Sequence, residues 1–128
     1  MANISTPFAR SHLDWAYNPA STPVRPAAWG IGLSDGAPTS VSASEIATAT
    51  AVRQTVSFAA ATANSVSNNL AATFSFASAA TITGLQVWDT ASSVNGLMLN
   101  YGNLATVRTL GAGDSLVFAT GSLVITLG

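Results

Sequence analysis

Cysteine is absent from the 128 residues, and so is lysine. The first absence excludes disulfides and thiolate metal sites. The second leaves Arg10, Arg25, Arg53 and Arg108 as all the positive charge, against five carboxylates. Charged side chains make up 7% of the chain, where about a quarter is usual. Four scattered arginines form no basic stripe, so no nucleic-acid partner is expected. No apolar run approaches the length of a membrane span, and no membrane partner is expected either. The N-terminal stretch lacks the basic start and apolar core of a secretory signal.

Catalytic vocabulary is equally thin. The one histidine, His12, has Asp14 two residues on, and helical positions two apart do not face each other. A nucleophile–base–orienter arrangement therefore has no local support. The carboxylates Asp14, Asp35, Glu45, Asp89 and Asp114 are far apart in sequence. Three of them sit in turn-like contexts that favour Asp for local hydrogen bonding. No metal, no cofactor and no enzymatic activity are expected. The "GAGD" of residues 111–114 precedes a strand-like run, not a helix, and reads as a β-turn, not a phosphate loop.

What is present is 48% hydrophobic residues with little charge, which excludes a disordered chain. Soluble monomers usually carry about a quarter or more of their surface as charge. Two readings follow: Ser, Thr and Asn keep the surface wet, or other chains cover much of it.

The pattern along the chain predicts a short helix and then strands. Ser5 or Thr6 can cap the helix, Pro7 suits its first turn and Asn18-Pro19 stops it. Phe8, His12 and Trp15 fall on one side of it. A proline-rich connector follows, so residues 1–24 read as a helix and extended arm, and 25–128 as the body.

In the body, strands are expected over 27–35, 50–58, 70–77, 81–89, 96–104, 105–110, 114–119 and 122–127, and 59–69 is expected to turn the chain. "LAATFSFA" alternates, with Leu70, Ala72, Phe74 and Phe76 inward. The last two strands, joined by Thr120-Gly121-Ser122, read as a tight closing hairpin. Seven or eight short strands without a crossover helix predict an all-β fold, a single antiparallel β-sandwich or jelly-roll-like domain. The expected core is Phe58, Phe74, Phe76, Leu116, Phe118, Leu123, Ile125 and Leu127, each worth roughly 2–3 kcal/mol when fully buried.

Aromatics cluster early: Trp15, Tyr17 and Trp29, with Arg10 and Arg25 nearby. Trp, Tyr and Arg concentrate at interface hot spots, so the cluster packs either within the chain or against a neighbour. A sugar-binding platform at Trp29 or Trp88 is a further option.

Several spaced motifs occur in a fixed order: Arg53-Gln54-Thr55-Val56-Ser57-Phe58, Trp88-Asp89, Leu99-Asn100-Tyr101-Gly102-Asn103-Leu104, and the run from Ala112-Gly113-Asp114 to Leu127. Over residues 25–128 this order resembles a family of small tailed-phage virion proteins often labelled tail-fibre proteins. It is also similar to capsid cement, or decoration, proteins.

The resemblance implies a structural protein of the virion, made in the host cytoplasm. The absence of a coiled-coil or repetitive shaft leans the expectation toward cement at the capsid surface. The partners would then be the major capsid protein and further copies of the chain, with a trimer expected from threefold capsid positions. Phe8, Arg10, His12, Trp15, Tyr17 and Arg25 would make the contacts, with Arg53 and Arg108 as polar interface partners. The alternatives are a tail, neck or fibre component and a glycan-binding module.

Overall fold

The computed structural model describes residues 3–20, 26, 28–39, 45, 53–91 and 96–126. Arg25 and Leu127 lie outside the described residues. The elements run β1 (Asn3–Ile4), α1 (Thr6–Tyr17), β2 (Trp29–Ser34), β3 (Arg53–Val56), β4 (Ser65–Ser67), β5 (Ala72–Ser75), β6 (Ala80–Trp88), β7 (Met98–Leu110), β8 (Ser115–Phe118) and β9 (Val124–Thr126). This is the expected all-β sandwich with a short N-terminal helix.

One layer is a five-stranded sheet in the order β1-β7-β6-β2-β3, antiparallel throughout. Strand β2, between β6 and β3, is buried from Gly30 to Ser34. Close approach favours glycine there: a Cβ on Gly32 would stand 2.5 Å from Gln86 Oε1 and 2.8 Å from Glu45 Oε1, side-chain ends that would have to shift. On Gly30 it would stand 2.5 Å from the Thr90 carbonyl. The expected strands at 96–104 and 105–110 are one strand, β7, whose pairing with β6 slips at Ile82/Gly84. A bulge thus absorbs the irregularity that reads as a break in the sequence.

The second layer corrects the expected closing hairpin. β8 pairs with β5, and β9 pairs with β4; β8 and β9 do not pair with each other. Ser65 stands opposite Thr126, Ser67 opposite Val124, Ala72 opposite Phe118 and Ser75 opposite Ser115. The segment from Ser115 to Thr126 therefore runs in one direction along the segment from Ser75 back to Ser65. Thr120-Gly121-Ser122 is a kink within this ribbon. The Ser122 amide does close a tight turn onto the Ala119 carbonyl at 3.0 Å, and Gly121 takes φ 81°. The left-handed position that suggests a hairpin here serves a local excursion. Residues 59–69, expected only to turn the chain, contain β4.

The core joins both layers: Ile31 and Leu33 from β2, Val56 from β3, Ile82, Leu85 and Val87 from β6, and Leu99 from β7 meet Ala72, Phe74, Phe76 and Leu123. Of the expected core, Phe74, Phe76 and Leu123 are buried. Phe58, Leu116, Phe118 and Ile125 are half-buried and pack against that cluster. Phe74 meets Phe118 edge-to-face at 6.1 Å. Leu70, expected inward, is 50% exposed. It stands at the corner between β4 and β5, where the two-residue period does not hold.

Candidate functional site

Among the described residues, Ile4, Leu13, Trp15 and Tyr17 place exposed large apolar side chains together at the N-terminal arm. α1 forms where local signals place it: Ser5 is the N-cap, its Oγ accepting from the Phe8 amide at 3.3 Å, and Pro7 lies in the first turn. Asn18 ends the helix, and its amide donates to the Asp14 carbonyl at 2.9 Å. Ser5 also fastens the helix to the body. It is fully buried, its amide donates to the Leu99 carbonyl at 2.8 Å, and its hydroxyl donates to the Met98 carbonyl. Just before it, Asn3 and Ile4 pair with Tyr101 and Asn100.

Beyond that anchor the helix is thinly packed. No residue of α1 is buried. Phe8, His12 and Trp15 form an edge-to-face ladder with 5.6 Å between successive rings, as their spacing predicts. Leu13 is 59% exposed, Trp15 62% and Tyr17 81%. Arg10 is exposed on the same helix, and Arg108 is exposed on the outer half of β7.

Between α1 and the body runs an apolar groove of about 770 Å³. Phe8, Ala9, His12 and Leu13 line it from the helix, and Ala59–Ala61 with Ala63–Val66 from the opposite side. Trp29, Phe58, Leu99 and Asn100 also border it. Asn100 is 6% exposed, and its Nδ2 has no hydrogen-bond partner. A buried amide donor left unpaired costs free energy. Sequence reasoning missed Asn100; the one available signal was a polar residue inside the apolar run "LMLNY".

Arg53 is not on the surface. It is 8% exposed, with Nε 2.7 Å from Glu45 Oε1 and Nη2 2.9 Å from Oε2, and its guanidinium lies 3.7 Å over the Trp88 ring. The fork-to-fork pairing and the stacking give it a structural role inside the chain, in place of the interface role expected from sequence. Trp88 is covered by this stack. Trp29 is half-buried, edge-to-face with Phe58 at 6.2 Å.

The carboxylates are dispersed. Asp89 accepts from the Leu97 amide at 2.7 Å and Asp114 from the Gly111 amide at 2.7 Å, both in turns. Among the described residues no three His, Asp or Glu side chains converge. Among the described residues no helix is long and apolar enough to cross a membrane.

Fold and surface together describe an all-β module whose exposed chemistry is that of contact: an apolar helix, an apolar groove and few charges. The family model of podophage GP4 fiber I protein gp80 matches residues 3–126, arm and body alike, and the chain belongs to that family. It is thus a member of a phage virion protein family of the tail-fibre type. No curated protein matches the chain.

Proposed function

We propose that this protein is a structural component of a phage fibre, present as several copies and acting through contacts with neighbouring chains. The family match carries the reading, because it spans the arm as well as the sandwich. It favours a fibre over the capsid cement that the sequence suggested. The missing shaft is a weaker argument than it first looks, since a fibre can be built by stacking compact modules from many chains. The role asks for no chemistry. It asks for a rigid body and adhesive surfaces, and the apolar arm and groove suit it.

Copy number tests the proposal. Quantitative mass spectrometry of purified virions, referenced to the major capsid protein, should find a small number of copies per particle, and antibody labelling should mark the tail. A ratio near one, or a simple fraction of it, with label over the head would overturn the fibre reading. It would restore capsid decoration with the major capsid protein as partner.

A further inference from the structure

Strand β8 has an open edge. It pairs with β5 on one side, and among the described residues no strand lies on the other. The turn before it decides which backbone groups face that edge. Gly113, at φ 87°, donates its amide to the Phe76 carbonyl at 2.8 Å, and the Phe76 amide donates to the Asp114 carbonyl at 3.0 Å. Phe74 then stands opposite Leu116 and Ala72 opposite Phe118. Backbone groups along a strand alternate in direction. Leu116 and Phe118 therefore bond toward β5, and the amides and carbonyls of Ser115 and Val117 point to the open edge. The side chains are sorted too. Leu116 and Phe118 pack half-buried against the core, while Val117 is 55% exposed on the outer face. From Ser115 to Ala119 the strand carries neither charge nor proline, two devices that blunt an edge.

We propose that β8 pairs antiparallel with β8 of a second copy, about a two-fold axis at Val117. The Val117 residues of the two copies then meet, their amides and carbonyls bonded reciprocally. Leu116 comes opposite Phe118 of the second copy on the inner face, and the Ser115 carbonyl faces the Ala119 amide. Asp114 comes opposite Thr120, so no two charges meet.

The register is what makes a second copy the fitting occupant. A slip of one residue would exchange inner and outer faces. A slip of two in one direction would set Asp114 opposite Phe118, a carboxylate against an apolar ring. A slip of two in the other would set Leu116 opposite Thr120. The register centred on Val117 matches apolar with apolar on both faces.

Area sets the strength. Three partly exposed apolar side chains and a short run of backbone cover on the order of 700 Å² in all, below the roughly 1,200 Å² of a stable interface. The pair is therefore weak in free solution, with a dissociation constant on the order of 100 µM. Copies held side by side in one particle would close it through proximity. An edge that meets its own counterpart closes at two copies.

The inference rests on the reading that the protein works as several copies, and it fails separately from the fibre assignment. Analytical ultracentrifugation of the full chain, from about 10 µM to about 1 mM, should show a monomer passing into a dimer. Over the same range the Val117 amide should exchange more slowly with solvent as concentration rises. Val117→Lys sets two cations face to face on the axis and should leave a monomer throughout, with an unchanged thermal melt because the side chain is exposed. Val107→Lys, at an equally exposed valine on β7, should still dimerise. A wild-type monomer at every concentration would overturn the pairing, and would be the outcome if the edge takes a strand from a different protein. So would a dimer that Val117→Lys leaves intact, a Val117 amide indifferent to concentration, or a closed trimer. None of these results would touch the virion copy number.

Discussion

Asn68 and Leu123 are joined twice: the Asn68 amide donates to the Leu123 carbonyl at 3.1 Å, and Asn68 Oδ1 accepts from the Leu123 amide at 2.9 Å. Nδ2 of the same side chain donates to the carbonyls of Leu70 at 2.8 Å and Ala119 at 3.0 Å. One side chain, 1% exposed, thus satisfies three backbone groups at the point where the β4–β9 and β5–β8 pairings fall out of step. It replaces the ladder bonds that the kink removes.

Asn68→Ala should accordingly be among the most damaging single substitutions in the chain. The buried Leu123 amide and the Leu70 carbonyl lose their side-chain partner, while the Ala119 carbonyl keeps Ser122, and the expected loss is about 2 kcal/mol. Urea denaturation measures it. A loss within about 0.5 kcal/mol, the range of ordinary surface changes, would show that the kink does not depend on Asn68.

Arg53 and Glu45 should show strong non-additivity. Arg53→Met leaves a carboxylate with 16% of its side chain exposed and no countercharge, at a cost of about 3 kcal/mol. Adding Glu45→Gln to that variant should recover part of the loss, and a double-mutant cycle reads the coupling directly. Additive effects would mean that the two side chains do not share their energy.

Ser5→Ala should act locally. It removes the N-cap and the hydroxyl bond to Met98, at a cost of about 1 kcal/mol to the helix. Amide exchange should quicken through α1, while the amides of β2 and β6 keep their protection, since no α1 residue is buried in the core. Uniform loss of protection would place the helix within the cooperative unit of the sandwich.

What the sequence made legible was local. Ser5, Pro7 and Asn18 mark the limits of α1 because capping is decided within a few residues. The alternation of Ala72, Phe74 and Phe76 marks β5 for the same reason. Pairing was harder to read. Thr120-Gly121-Ser122 between two apolar runs has the signature of a reversal, and nothing nearby reveals that each run already has a partner some fifty residues back, near Asn68 and Ala72. Arg53 read as a polar interface partner because nothing in the local pattern marks Glu45, eight residues back, or the distant Trp88 as its contacts. The groove was invisible for the same reason: its walls are a helix near residue 10 and a loop near residue 60.

The ribbon also sets a tempo. Among the described pairings, β2 with β3, β6 with β7 and the Phe58–Asn68 and Thr62–Ser65 bridges join neighbouring stretches; the others bring together segments well separated in sequence, as Ala72 with Phe118 and Asn3 with Tyr101. Such closures lose chain entropy before contacts repay it, which is characteristic of domains that fold in milliseconds to seconds. Until the stretch ending at Thr126 has zipped onto Ser65, the inner faces of Phe74 and Ile31 have no cover. A late-closing ribbon thus leaves core surface open to mispairing for as long as the slowest closure takes.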